Sequence, residues 1–115
     1  MSASKQKGTA AETAVVRWFQ DHGWPHAERR ALSGAFDMGD INLEPAIVVE
    51  VKNTKAITLA QFMTETEQER INANAEIGVC VIKKRGTTNP AEFYAVTSLD
   101  QFAWLLRAAG YGESL

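Results

Sequence analysis

The chain has 115 residues with 12 Lys/Arg against 14 Asp/Glu, a net charge of −2, and is 45% hydrophobic and 23% charged. This is an ordinary globular composition of single-domain length, able to bury one core without staples. It supplies no global positive field to attract nucleic acid. The single cysteine, Cys80, excludes an intrachain disulfide and any cysteine-cluster zinc site.

The opening "MSASKQKG" has no hydrophobic signal core, and no apolar run approaches the roughly 20 residues that span a bilayer. The expected compartment is the reducing cytoplasm. The first seven residues are small and polar and are expected to fray. From Thr9, "TAAETAVVRWFQDHG" reads as a helix stopped by Gly23. At about 100° per residue, Val15, Val16 and Phe19 cluster around the direction of Glu12. That places an acid within an apolar stripe, although a first-turn acid also complements the helix dipole.

After Pro25, "HAERRALS" reads as a strand broken at Ser33-Gly34. "FDMGDINL" and "AIVVEVKN" read as two strands joined by a tight turn at Glu44-Pro45. "TLAQFMTETEQERINANA" is a helix with Thr58 at its N-cap. The strand "IGVCVIKK", the turn "RGTTNP" and the strand "EFYAVT" follow. Ser98 caps a last helix, "LDQFAWLLRAAG", which Gly110 ends. The order α-β-β-β-α-β-β-α predicts an α/β domain spanning residues 1–115. It has a single mixed sheet of about five strands, with helices on both faces. The helix over 58–75 is a crossover, so the strands flanking it run parallel and 46–52 lies centrally.

Side chains alternate along a strand. Glu50 and Lys52 therefore share a face with Ala46 and Val48, at the C-terminal end where open α/β sheets bind ligands. Asp40 and Asn42 share a face opposite Ile41 and Leu43. A short turn lets Asp40 come close to Glu50. Two carboxylates so placed repel and shift their pKa values unless a cation lies between them. Glu-x-Lys alone is also a common ion pair on a solvated strand end.

Taken together, "KGTAAE", "SGAFDMGDI" and "VVEVKN", followed by a helix and a strand, resemble the PD-(D/E)xK nuclease superfamily. Within it the chain is most similar to small Holliday-junction-resolvase-like proteins, over roughly residues 7 to 84. Gly39 stands where that pattern has proline, and Asp37 competes with Asp40 for the ligand role. The resemblance implies a restriction-endonuclease-like α-β-β-β-α-β core and a metal-dependent DNA endonuclease hydrolysing phosphodiester bonds. It implies Glu12, Asp40, Glu50 and Lys52 as catalytic residues. Asp40, Glu50 and the Val51 carbonyl would hold Mg²⁺ or Mn²⁺. It also implies a branched or junction DNA substrate and a homodimer.

Acids concentrate in the middle of the chain. Residues 1 to 36 hold five Lys/Arg against three Asp/Glu, 37 to 76 three against eight, and 77 to 115 four against three. Candidate DNA contacts to phosphate are Lys5, Lys7, Arg29, Arg30, Lys55, Lys83, Lys84 and Arg85, and the resemblance implies that Ser33, with Gly34, forms a DNA-binding loop near the cut phosphate. "KKRG" reads equally as a solvated turn. Gln61 and Gln68 project away from the Leu59-Phe62-Met63 stripe, toward DNA or solvent. His22 and His26 read as surface or packing residues, and Trp18, Trp24 and Trp104 as core or interface residues. Two other readings stand beside junction cleavage: a nuclease of the same fold acting on other DNA structures, and a nucleic-acid-binding module without turnover.

Overall fold

A computed structural model describes residues 3–31 and 37–113, with side chains described from residue 6 onward. Its elements are α1 (Ala3–Asp21), β1 (Glu28–Arg29), β2 (Ile41–Glu44), β3 (Ile47–Lys52), α2 (Leu59–Asn72), β4 (Ile77–Ile82), a 3-10 turn (Pro90–Glu92), β5 (Tyr94–Val96) and α3 (Leu99–Ala108). The five strands form one sheet in the order β1-β2-β3-β4-β5. β3 and β4 run parallel and in register from Ile47↔Ile77 to Lys52↔Ile82. The other pairs are antiparallel. The mixed α/β sheet expected from the sequence is thus present, with β3 at its centre and α2 as the crossover.

The core divides by strand alternation. On one face Ile41, Leu43, Val49, Val51 and Val81 pack against Ala11, Val15 and Val16 of α1. On the other, Cys80 and Ile82 pack against Phe62 of α2. Val48, Val49 and Val51 of β3 are all buried, each contributing about 1.5–3 kcal/mol. That burial helps offset the cost of carrying the polar Glu50 in the same strand.

Several boundaries differ from the sequence reading. α1 begins at Ala3, six residues before the expected Thr9, because Ala, Lys and Gln are strong helix formers. β1 is only two residues long and exposed, where a strand was expected over 26–33. Thr58 stands at the N-cap of α2 but makes no side-chain capping bond. Ser98 does cap α3, its hydroxyl accepting from Gln101 N–H at 3.2 Å. Leu59 is exposed, so the buried stripe of α2 is Phe62, Thr66 and Glu69. α3 buries none of its residues. It is tied to β4 by Gln101, whose Oε1 accepts from Gly78 N–H at 2.7 Å.

Candidate metal centre

Glu50 lies on the α2 face of β3, opposite the valines that meet α1. It is 6% exposed. The parallel register pairs it with the fully buried Cys80, so its carboxylate leaves the backbone inside the sheet–helix layer.

Asp40 reaches it from the start of β2. Its backbone N–H donates to the Val49 carbonyl at 2.9 Å. Its Oδ2 accepts from Val51 N–H at 2.8 Å. The ladder between β2 and β3 is thereby continued by a side chain, and the Asp40 carboxyl is fixed against Glu50. In an extended strand the Val51 carbonyl points to the same side as its N–H.

The bend before Asp40 shows why position 39 is glycine and not the proline of the pattern that the sequence resembles. Gly39 has φ +96, and a Cβ there would lie 2.8 Å from Val48 Cγ1 and 3.0 Å from the Val49 carbonyl oxygen. Proline, locked near φ −65°, cannot make this turn.

Three further groups complete the cluster. Glu12 of α1 points inward, with only 16% of its side chain exposed, and pairs with Arg29 at 3.5 Å. Burial and the neighbouring Asp40 raise its pKa, against the pull of Arg29. Glu69, from α2, is 4% exposed. Asp37, in the approach to β2, is exposed and accepts from Gly39 N–H through Oδ1 at 2.9 Å. Asp37, Glu50 and Glu69 each bring one carboxylate oxygen within 4.8 Å of the others.

The electrostatics follow from this crowding. Burial, then contact with the Asp40 and Glu69 carboxyls, pushes the Glu50 pKa up to about 12. Burial and the charges of Asp37 and Asp40 push Glu69 up to about 7, although contact with Glu50 opposes the rise. In the absence of a cation Glu50 holds a proton at neutral pH.

Lys52 extends from the end of β3 to α2. Its Nζ is 2.7 Å from Glu65 Oε2 and 5.2 Å from the centre of the Phe62 ring. Burial works against its charge, but the Glu65 hydrogen bond and the Glu50 and Glu65 charges raise its pKa overall.

The sequence-expected residues thus fall into two groups. Glu12, Asp40, Glu50 and Val51 come together, with Lys52 beside Glu50. Arg29 and Arg30 line an open cleft of about 480 Å³ together with Glu12, Asp37 and Asp40. Lys7 and Lys55 line a separate cleft of about 350 Å³ with Lys83, Lys84 and Arg85. There Lys83 is tied to the carbonyls of Lys84 and Thr87, and Arg85 to that of Lys55. Ser33, with Gly34, lies outside the described residues, as does the side chain of Lys5. Gln61 and Gln68 are exposed and bond to their own helix. His22 stacks on Trp18 at 4.1 Å, as a packing residue.

Glu69 and Glu65 were not singled out from sequence. Glu69 was recoverable: continuing from Phe62 at i+4 and i+7 reaches Thr66 and Glu69, an acid on the buried face. No protein-family model, characterised protein or solved structure matches the chain.

Proposed function

We propose that the protein is a metal-dependent DNA endonuclease. The observation that carries this reading is the juxtaposition of Asp40, Glu50 and Lys52 at the C-terminal end of the central strand, with Glu50 buried. A structural ion pair does not need a second carboxylate against the first. Burying such a pair costs several kcal/mol unless a counter-charge is supplied.

The donor set suits the cation that the sequence resemblance implies. All the groups are carboxylate or carbonyl oxygens, the chemistry preferred by Mg²⁺ and Mn²⁺. Asp40, Glu50 and the Val51 carbonyl would hold it. When bound, such an ion lowers the pKa of water and offsets charge on the scissile phosphate.

The protein's own groups do the positioning. Val51 N–H fixes the Asp40 carboxyl. Lys52 supplies a positive charge beside Glu50, where charge builds on the phosphate during attack. Glu12 stands behind Asp40 to orient a water. Lys7, Lys55 and Lys84 offer ammonium groups to phosphates flanking the cut, and Arg29 contributes from the other cleft.

Within this reading the substrate is branched DNA, including four-way junctions, cut by two copies related by a twofold axis. The exposed apolar residues Leu99, Phe102 and Leu106 of α3 are compatible with such a pairing. The test is cleavage of labelled four-way junction, flap, nicked and linear duplex DNA, with and without Mg²⁺. Junction cleavage that requires Mg²⁺ and is lost in Glu50→Gln and Lys52→Ala is the expected result. Binding without cleavage of any substrate would replace this reading with that of a non-catalytic nucleic-acid-binding module.

A further inference from the structure

Glu69 presents a problem that the residues taken from the nuclease pattern do not solve. Its residue surface is 4% exposed. Its Oε2 atom is buried and has no hydrogen-bond partner among the described residues. A carboxylate oxygen buried in this way costs on the order of 1–3 kcal/mol or more. Natural structures seldom leave such an atom without a role.

Among the described residues no basic side chain pairs with it. The groups that face it are carboxyls: Glu50 from β3, Asp37 from the approach to β2, and Asp40 beyond them. Three of these, Asp37, Glu50 and Glu69, hold oxygens within 4.8 Å of one another. Around an octahedral ion with ligands at about 2.1 Å, two ligand oxygens lie no more than about 4.2 Å apart. Only one of the three pairs can lie opposite at that distance; the others must close to about 3.0 Å, a movement of up to about 1.8 Å.

The backbone is built to keep these groups together. Asn72 Nδ2 donates to the Asp37 carbonyl at 2.9 Å, tying the Asp37 segment to α2 one turn beyond Glu69. Gly39 N–H holds the Asp37 carboxyl through Oδ1. Gly78 lets α2 approach β4 closely: a Cβ there would lie 3.1 Å from Thr66 Cγ2 and 3.2 Å from the Thr66 carbonyl oxygen. Thr66 is three residues before Glu69 on the same buried face.

We infer that Asp37, Glu50 and Glu69 form a divalent-cation site, with the buried Glu69 carboxylate as a ligand donated by α2. Asp37, the exposed member, faces solvent and gives the ion its entry path. Glu50 is shared with Asp40, so the acids run as a continuous line from α1 through β2 and β3 to α2. The inference rests on the metal-dependent reading above and adds two ligands to it.

The test is titration of the full chain with Mn²⁺, read by calorimetry and by the loss of the free-ion paramagnetic resonance signal. Wild type is expected to bind Mn²⁺, with Mg²⁺ competing. Glu69→Gln and Asp37→Asn should each weaken binding at least tenfold. Circular dichroism checks that Glu69→Gln folds. Asp37→Asn changes an exposed residue and keeps its Oδ1 acceptor, so it carries the test in either case. Loss of Mn²⁺ binding in the two variants supports the site, whether or not the wild type cuts any DNA. Wild-type binding strength in both variants overturns it while leaving the nuclease reading intact, and Glu69 is then a proton-sharing partner of Glu50. Failure of wild type to bind Mn²⁺ overturns it as well.

Discussion

The amide of Val51 donates to Asp40 Oδ2 at 2.8 Å, so a backbone group of the central strand orients the carboxyl of its neighbour. Asp40→Asn keeps an oxygen acceptor for that amide while removing the charge. The predicted outcome is a folded protein with DNA cleavage reduced at least a hundredfold. Asp40→Ala removes the acceptor too and should cost a further ~1 kcal/mol or more of stability. Thermal unfolding of the two variants beside a cleavage assay separates orientation from charge. Equal activity in Asp40→Asn and wild type would remove Asp40 from the site.

The acid cluster predicts how the metal-free protein responds to pH. Glu69 is raised from its ordinary value of 4.5 to about 7, and Glu50 to about 12. Both therefore favour the protonated form in the folded state. Their contribution is fully present below pH 4.5, where both folded and unfolded chains are protonated. It declines as pH rises, because the unfolded chain releases protons that the folded chain retains. Between pH 5 and about 7 the loss should be on the order of a few kcal/mol. Chemical denaturation across that range in a chelator checks it. Saturating Mn²⁺ should flatten the dependence, and stability rising with pH without metal would contradict the assignment.

Lys52 and Glu65 form a pair to which the proposed function gives a catalytic consequence. Glu65 Oε2 lies 2.7 Å from Lys52 Nζ and holds the Lys52 pKa up, against the lowering effect of burial. The predicted effect of Glu65→Gln is that Lys52 loses its proton at lower pH. The alkaline limb of the cleavage profile then moves down. Stability changes by less than ~1 kcal/mol, since the pair is partly exposed. A purely structural pair would leave the limb where it is, and Glu65→Asp should restore part of its position.

Much of this was legible in the sequence, for identifiable reasons. The run Ile47-Val48-Val49 is a β-branched segment between turn residues, so its burial followed from composition, and its central position from the crossover helix after it. Period-two alternation then put Glu50 and Lys52 on one side of it. The strand–helix–strand order fixed the parallel pair. Glu69 escaped because Leu59 drew the apolar stripe of α2 too far toward the helix start. Leu59, the first residue of α2, is exposed. Asp37 escaped preference because its proximity to Glu50 and Glu69 is made by Gly39 and Asn72, contacts with no periodicity. The exposed α3 helix has the apolar pattern of a packed one. Nothing in that pattern distinguishes a core from an uncovered surface.

Gly78 sets the distance between α2 and β4, and with it the depth at which Glu69 meets Glu50. The new Cβ in Gly78→Ala would press on Thr66 Cγ2 at 3.1 Å, the Thr66 carbonyl oxygen at 3.2 Å and Arg70 Cβ at 3.3 Å. Two of these are a backbone atom and a Cβ, which cannot rotate away, so the helix itself must shift. Overpacking of this kind costs about 1–3 kcal/mol. The predicted variant is folded, less stable by that amount, and weakened in Mn²⁺ affinity although no ligand has changed. The control is Gly86→Ala, where a Cβ meets nothing within 4 Å but the positive φ of +83 is strained. It should lose stability without losing affinity. If Gly78→Ala binds Mn²⁺ as tightly as wild type, the depth of α2 on the sheet does not govern the site.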